Sequence, residues 1–166
     1  MSKGGLVTNQ ELFLKLWERE QSKFQRMLDA VPSDRDDYRP HPKSRSGAEM
    51  VTLLAREQEG LCAMIDRGEI DFRDFGADPI DEARTLWKKS TNGLRERLQK
   101  MDDAGWKKPV KFLMGGKVAN EQPTSEWLWG FLHDMIHHRG QLSTYIRPMG
   151  GKVPSVYGPS ADAGPE

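Results

Sequence analysis

Apolar side chains recur at three- and four-residue steps in four stretches of this chain, which is the pattern of amphipathic helices that bury one stripe. Polar and charged residues fill the positions between them. The predicted helices cover about residues 9–31, 47–67, 79–101 and 124–149. Helices are therefore expected to make up well over half of the chain.

Local signals mark where these helices begin and end. Ser46 and Glu49 have the spacing of a capping box, in which each side chain satisfies an exposed backbone N–H of the other residue. Gly68 is placed to close the second helix. Asp78, which precedes a proline, and Thr124 are the predicted N-caps of the third and fourth helices.

The connections between the helices decide the predicted topology. A Gly115-Gly116 pair lies between two short runs of strand-compatible residues, so a small hairpin and a plain loop both fit between the third and fourth helices. The linker over 68–78 could span about 36–40 Å, against about 30 Å for the second helix, which allows the second and third helices to run parallel. We predict an all-α fold, an up-down-down-up four-helix bundle, as a single domain over 1–166 with an irregular tail from about residue 150.

The composition excludes some classes of partner. Lys and Arg total 25, as do Asp and Glu, so the net charge is zero, and neither end carries a basic block. A nucleic-acid binder and a polybasic membrane binder are therefore not expected, and small molecules are the expected partners. The single cysteine, Cys62, cannot form an internal disulfide, and the N-terminal region has no apolar stretch for a signal peptide, so a cytoplasmic location is expected.

The fourth predicted helix holds the densest set of potential ligands. His133 and His137, and likewise Asp134 and His138, have the four-residue spacing that places two side chains on one helix face. At 100° per residue, Asp134 and His138 fall at the edge of the apolar stripe, whereas the other pair lies opposite it. The inward pair is predicted to be Asp134 and His138, either as metal ligands or as a carboxylate that orients an imidazole.

Three further charged residues fall within apolar stripes. Glu20 and Glu57 are predicted to point inward from the first and second helices, and Arg139 from the fourth. A buried ion-pair network around Arg139 is one interpretation. The other is a shared proton or a divalent cation, because three inward acids face one arginine, and bundles build metal sites from such carboxylates and histidines. The residues alone leave both open.

The region from Phe131 to Asp162, with its HHRGQ string followed by an aromatic residue and a closing glycine, resembles the DinB/YfiT-like superfamily. The segment YRPHPKSRSGAEM ahead of the second helix adds to the resemblance. It implies an up-down-down-up bundle, homodimerisation and a divalent metal of zinc or nickel type. Relatives include transferases and isomerases that use low-molecular-weight thiols, and metal-dependent hydrolases.

Carried over by position, the last family histidine falls on His138, with Asp134 in place of its partner four residues earlier. Leu53 stands near the position of the ligand on the second helix, and Glu57, one turn later, could substitute. We therefore expect Glu57, Asp134 and His138 as ligands of Zn, Ni, Mn or Fe, and Glu20, from its inward position, as a fourth ligand or general base.

The expected function is a DinB-like, metal-dependent small-molecule enzyme of thiol S-transferase or hydrolase type. The alternative is a metal-free, non-catalytic helical bundle that acts as a binding or stress-associated module. Metal content separates the two.

Overall fold

The structure is a computed structural model that describes residues 6–72 and 74–164. Within these ranges the chain is mostly helical, as predicted, and adds a small sheet. The helices and strands are α1 (Asn9–Asp29), α2 (Gly47–Arg67), β1 (Glu69–Phe72), α3 (Ile80–Lys100), α4 (Asp103–Lys107), β2 (Pro109–Met114), β3 (Lys117–Pro123) and α5 (Thr124–Ile146).

Both ends of α2 form as the sequence predicts. The Ser46 hydroxyl accepts a hydrogen bond from the backbone N–H of Glu49 at 3.2 Å, and the Glu49 carboxylate accepts one from Ser46 N–H at 2.7 Å. Gly68 follows the helix in the left-handed region, with φ of 77°, where a side chain would be strained. These local devices fix the start and the end of the helix that carries Glu57.

The predicted N-caps Asp78 and Thr124 are wrong. Neither α3 nor α5 has a side-chain cap hydrogen bond. The Asp78 carboxylate instead binds Arg56 of α2 at 2.9 Å. The Thr124 hydroxyl donates to the carbonyl of Lys108 at 3.0 Å, from inside the first turn of α5. In both cases a partner from another part of the chain replaces the local backbone.

Hydrogen bonds between α2 and α3 show how these two helices are oriented. Gln58 donates to the hydroxyl of Thr91 at 3.2 Å, and Arg97 binds the carboxylate of Asp66 at 2.6 Å. Residue numbers therefore rise together along both helices, so α2 and α3 run parallel, as the length of the linker allowed.

Two contacts orient α5 against α1. The indole N–H of Trp129 donates to the side chain of Asn9 at 3.1 Å, near the start of both helices. Further along, Arg139 binds Glu20 at 2.7 Å. Residue numbers again rise together, so α1 and α5 also run in the same direction.

The sheet makes the predicted all-α class too narrow. The hairpin between β2 and β3 turns at Gly115 and Gly116, both with positive φ, so the hairpin alternative is correct. β1 pairs in parallel with β2, with Glu69 opposite Lys111. The sequence did not predict β1, because a four-residue strand has too little periodicity and its partner lies some forty residues away.

The core lies between the long helices, and the sheet packs beside α5. Trp17, Trp87 and Leu128 are essentially inaccessible to solvent, and each such side chain contributes roughly 1.5–3 kcal/mol through burial. Trp127 of α5 donates its indole N–H to the carbonyl of Val110 in β2 at 3.1 Å, which attaches the sheet to the helix. No helix in the described part of the chain is long and apolar enough to cross a membrane.

Candidate metal centre

The fold brings the predicted ligands of two helices together. Glu57 of α2 meets Asp134 and His138 of α5, and one ligand atom from each of the three lies within 4.8 Å of the others. His138 Nε2 lies 3.4 Å from the Asp134 carboxylate, one helical turn away. The four-residue spacing on α5 and the packing of α2 against it thus create one group of two carboxylates and one imidazole.

Glu57 is the buried member of this group. Only 9% of its surface is exposed, and its Oε2 atom has no hydrogen-bond partner among the described residues. Burial, together with the negative charge of Asp134 and a hydrogen bond shared with it, raises the pKa of Glu57 to about 8. An ionised Glu57 therefore needs a cation, and without one it holds a proton near neutral pH.

Asp134 and His138 occupy the outer side of the group. The prediction that Asp134 points inward is wrong in part, because 51% of its side chain is exposed, whereas only 16% of the His138 side chain is. Both residues lie at the edge of the apolar stripe of α5, where the Asp134 side chain reaches solvent and most of the His138 side chain is covered. His133 and His137 are exposed, and neither belongs to the group.

A second residue of α5 holds the imidazole in place. His138 Nδ1 lies 2.9 Å from Oε1 of Gln141. A ring protonated at Nδ1 donates to this amide oxygen and presents the Nε2 lone pair on the side of Asp134. Sequence reasoning missed Gln141, although a polar residue three positions after a histidine on a helix is a readable signal.

Glu20 belongs to a different group. Its Oε2 accepts hydrogen bonds from Arg139 at 2.7 Å and Tyr157 at 2.8 Å, and its Oε1 binds Lys23 at 2.8 Å. Burial raises the pKa of Glu20, but the hydrogen bonds from Lys23, Arg139 and Tyr157 outweigh it, so the pKa lies below its ordinary value. Both oxygens are engaged, and the structure does not bring Glu20 into the Glu57 group.

Arg139 pairs with Glu20, one of the three acids that were predicted to point inward. Arg139 is buried with its guanidinium 4.5 Å from the Phe24 ring, and it neutralises Glu20. The predicted ion-pair network therefore exists around Glu20 but does not extend to Glu57 and Asp134. Two carboxylates, one of them with an unpartnered buried oxygen, and one imidazole are a donor set that suits Zn, Mn or Fe.

Glu57 and Asp134 of this group line a mostly apolar cleft of about 340 Å³, between α2, α5 and the sheet. Leu53, near the position where the family resemblance places a ligand, forms part of its wall and has no atom to offer a metal. Concave, apolar sites with a few polar groups are typical of small-molecule binding. The remaining lining residues are Ile70, Asp71, Phe75, Phe112, Gln122, Glu126, Trp127, Gly130 and Phe131.

Comparison with known proteins adds a family and a fold. The model of the DinB family matches residues 1–164. No curated protein matches the chain. Among solved structures, a DinB-like protein from Bacillus cereus is 20% identical with a TM-score of 0.72, over 87% of this chain and 95% of that one.

Two further solved structures share the fold. A DinB-like protein from Bacillus subtilis is 17% identical with a TM-score of 0.66, over 85% of this chain and 93% of that one. A mycothiol-dependent maleylpyruvate isomerase is 16% identical with a TM-score of 0.59, over 86% of this chain and 61% of that one. At these identities the likeness is one of fold.

Proposed function

Because the chain belongs to the DinB family, we propose that it is a divalent-metal-dependent small-molecule enzyme of thiol S-transferase or hydrolase type. The observation that carries the proposal is the meeting of Glu57, Asp134 and His138 within 4.8 Å, with a buried oxygen of Glu57 left without a partner. The fold shared with a mycothiol-dependent isomerase supports a low-molecular-weight thiol as one substrate.

Each residue of the group has a distinct part in the proposal. Glu57, Asp134 and His138 would hold Zn, Ni, Mn or Fe, and a bound cation lowers the pKa of a water or a thiol. Glu57 gives up its proton when it binds the cation, because its pKa in the metal-free protein is about 8. Gln141 orients the His138 ring. Glu20 supports α5 from α1, since both of its oxygens are already engaged.

Cellular location and oligomeric state are also part of the proposal. We propose that the protein is a cytoplasmic homodimer whose long helices form the up-down-down-up bundle that the family resemblance implies. The parallel directions of α2 with α3 and of α1 with α5 support this bundle. Light scattering on the purified protein gives the oligomeric state directly.

One observation favours a metal-free binding or stress-associated module instead. With a pKa of about 8, Glu57 carries a proton near neutral pH and then needs no cation beside it. The ion pair of Glu20 and Arg139 is complete by itself. A bundle with these two features would be stable without a metal.

Metal content and titration separate the two functions. The protein is purified without chelator for elemental analysis, and Zn and Mn are then titrated calorimetrically into the chelator-treated wild type, a His138→Ala variant and a His133→Ala/His137→Ala double variant. We expect one equivalent of metal in the wild type, a loss of at least about tenfold in affinity for His138→Ala, and wild-type binding by the double variant.

The controls decide what a different result means. The double variant removes two histidines from the exposed side of the same helix, so it corrects for nonspecific binding to imidazoles. Equal losses in both variants would contradict the assignment of the ligand face. A folded wild type that binds neither metal would support the metal-free module.

A further inference from the structure

The titratable side chains that line the cleft beside the Glu57 group are all acidic among the described residues. The lining includes the carboxylates of Glu126 and Asp134 together with the buried acid Glu57, and no Lys, Arg or His is among the described residues that line it. Glu57 is nine-tenths buried, and its Oε2 has no hydrogen-bond partner among the described residues. An anionic ligand would therefore be repelled, whereas a cationic ligand would be attracted.

Three aromatic side chains also line the cleft, and contacts hold them in place. The rings of Phe112 and Trp127 are stacked, with centroids 5.2 Å apart and planes at 21°. Phe131 lies 6.3 Å from Trp127, whose indole N–H is tied to the carbonyl of Val110. Fixed aromatic faces attract organic cations through the ring quadrupole, and Trp is the most effective of the aromatic side chains.

The negative charge does not depend on whether the metal group is occupied. A divalent cation on Glu57 and Asp134 would neutralise those two carboxylates. Glu126, in the exposed first turn of α5, would still line the cleft as a carboxylate. The preference for a cation therefore holds for the metal-free protein and for the metal-loaded protein.

We propose that this cleft binds a small organic cation, an amine with an aromatic or branched apolar group. The ammonium lies among the carboxylates, and the apolar group lies against Trp127. The proposal rests on the proposed function, in that it names the substrate class of the same site. A cleft of about 340 Å³ is at the small end of ligand sites, which fits a molecule with a single ring.

Three probes of matched size and different charge test the proposal. These are 2-phenylethylamine, 2-phenylethanol and 3-phenylpropionate, each titrated into chelator-treated protein and into zinc-loaded protein. In chelator-treated protein we expect the amine to bind, the alcohol to bind roughly tenfold more weakly, and the carboxylate to show no measurable binding. In zinc-loaded protein, where the metal can itself bind a carboxylate, we expect the amine still to bind more tightly than the alcohol. Equal or tighter binding of 3-phenylpropionate to the chelator-treated protein, or no binding of the amine, would overturn the proposal.

Variants away from the ligand group locate the binding. Glu126→Gln is expected to weaken amine binding several-fold and to leave the alcohol unchanged. Glu82→Gln is the matched control, because Glu82 is also an exposed acid in the first turn of a long helix, α3. Trp127→Leu keeps an apolar side chain and should reduce amine binding more than alcohol binding. Thermal melts confirm that each variant is folded, and an equal effect of Glu82→Gln would contradict the assignment.

The two proposals can fail separately. If the protein binds no metal but the chelator-treated form prefers the amine, the metal-dependent function fails and the cleft assignment stands. If metal binds at the Glu57 group and the amine shows no preference, the cleft assignment fails alone.

Discussion

Glu20 and Glu57 are two glutamates on long helices, with 8% and 9% of their surfaces exposed, yet their surroundings differ in charge. Glu20 receives hydrogen bonds from Arg139, Tyr157 and Lys23, which hold its pKa below the ordinary value against the effect of burial. Burial and the neighbouring Asp134 raise the pKa of Glu57 to about 8. One buried acid is thus satisfied by the fold, while the other is left to bind a proton or a cation.

This difference separates residues that stabilise the protein from residues that are available for chemistry. The Glu20 pair joins α1 to α5 and is complete within the chain. The Glu57 group joins two acids and one imidazole without an Arg or Lys hydrogen bond to Glu57 among the described residues, and its two acids line a cleft. Perturbed carboxyls beside a cleft are candidates for function, whereas compensated ones are structural.

The largest expected effect comes from breaking the satisfied pair. Arg139→Leu should reduce the free energy of unfolding by up to about 3–5 kcal/mol, because Glu20 Oε2 loses its buried cationic partner and Glu20 keeps only Lys23, which pairs with Oε1. Arg139→Lys should restore part of the loss. Urea denaturation measures both, and Arg147→Leu is the control, since Arg147 forms an exposed ion pair with Asp162. An Arg139→Leu variant as stable as the wild type would contradict the role of this pair.

Removing the unsatisfied acid, Glu57, should instead increase the free energy of unfolding. The folded protein binds the Glu57 proton up to a pKa of about 8, while the unfolded chain releases it near 4.5, so wild-type stability falls as pH rises through this window. In chelator-treated protein, Glu57→Gln should therefore be more stable at pH 8 by roughly 2–4 kcal/mol, with the gain vanishing near pH 4. Denaturation curves at several pH values measure it, and a gain independent of pH would contradict the assigned protonation.

Metal affinity should depend on the protonation of Glu57. Binding requires Glu57 as a carboxylate, so its proton competes with the metal below a pKa of about 8. We expect the dissociation constant for Zn to fall by up to about tenfold per pH unit between pH 6 and 8, and then to level off. Calorimetry in two buffers of different ionisation enthalpy counts the released protons. Affinity that does not change with pH in this range would show that Glu57 is not a ligand.

The smallest predicted effect concerns the residue that orients the imidazole. Gln141→Ala should weaken Zn binding about tenfold, with little change in the free energy of unfolding, because it removes the hydrogen-bond partner of His138 Nδ1. His137→Ala is the control, since it removes an exposed neighbour on the same helix. Equal affinities for Gln141→Ala and wild type would show that the helix alone fixes the ring.

Periodicity predicted the helices well because burial of one stripe is recorded in the spacing of apolar residues along each helix. It also placed Glu57 and His138 on the faces where they meet. It failed where a distant partner decides the outcome: Asp78 binds Arg56 instead of capping α3, and β1 exists because β2 pairs with it. The aromatic wall of the cleft depends on that sheet, so no local pattern indicated it.

The dependence on distant packing also explains why the sequence grouped Glu20 with the predicted metal ligands. Its stripe position is equivalent to that of Glu57, so helical spacing alone grouped both acids with Asp134 and His138. Which acid Arg139 neutralises depends on how α1 and α2 pack against α5, and that packing is a property of the whole fold. The sequence therefore indicated the members of both groups without indicating how they divide.

The most direct test of the central claim is anomalous diffraction from crystals soaked in Zn or Mn. We expect one strong peak between Glu57, Asp134 and His138, at roughly 2.0–2.2 Å from an atom of each. A peak at His133 and His137, or crystals of folded protein with no peak at the Glu57 group, would contradict it.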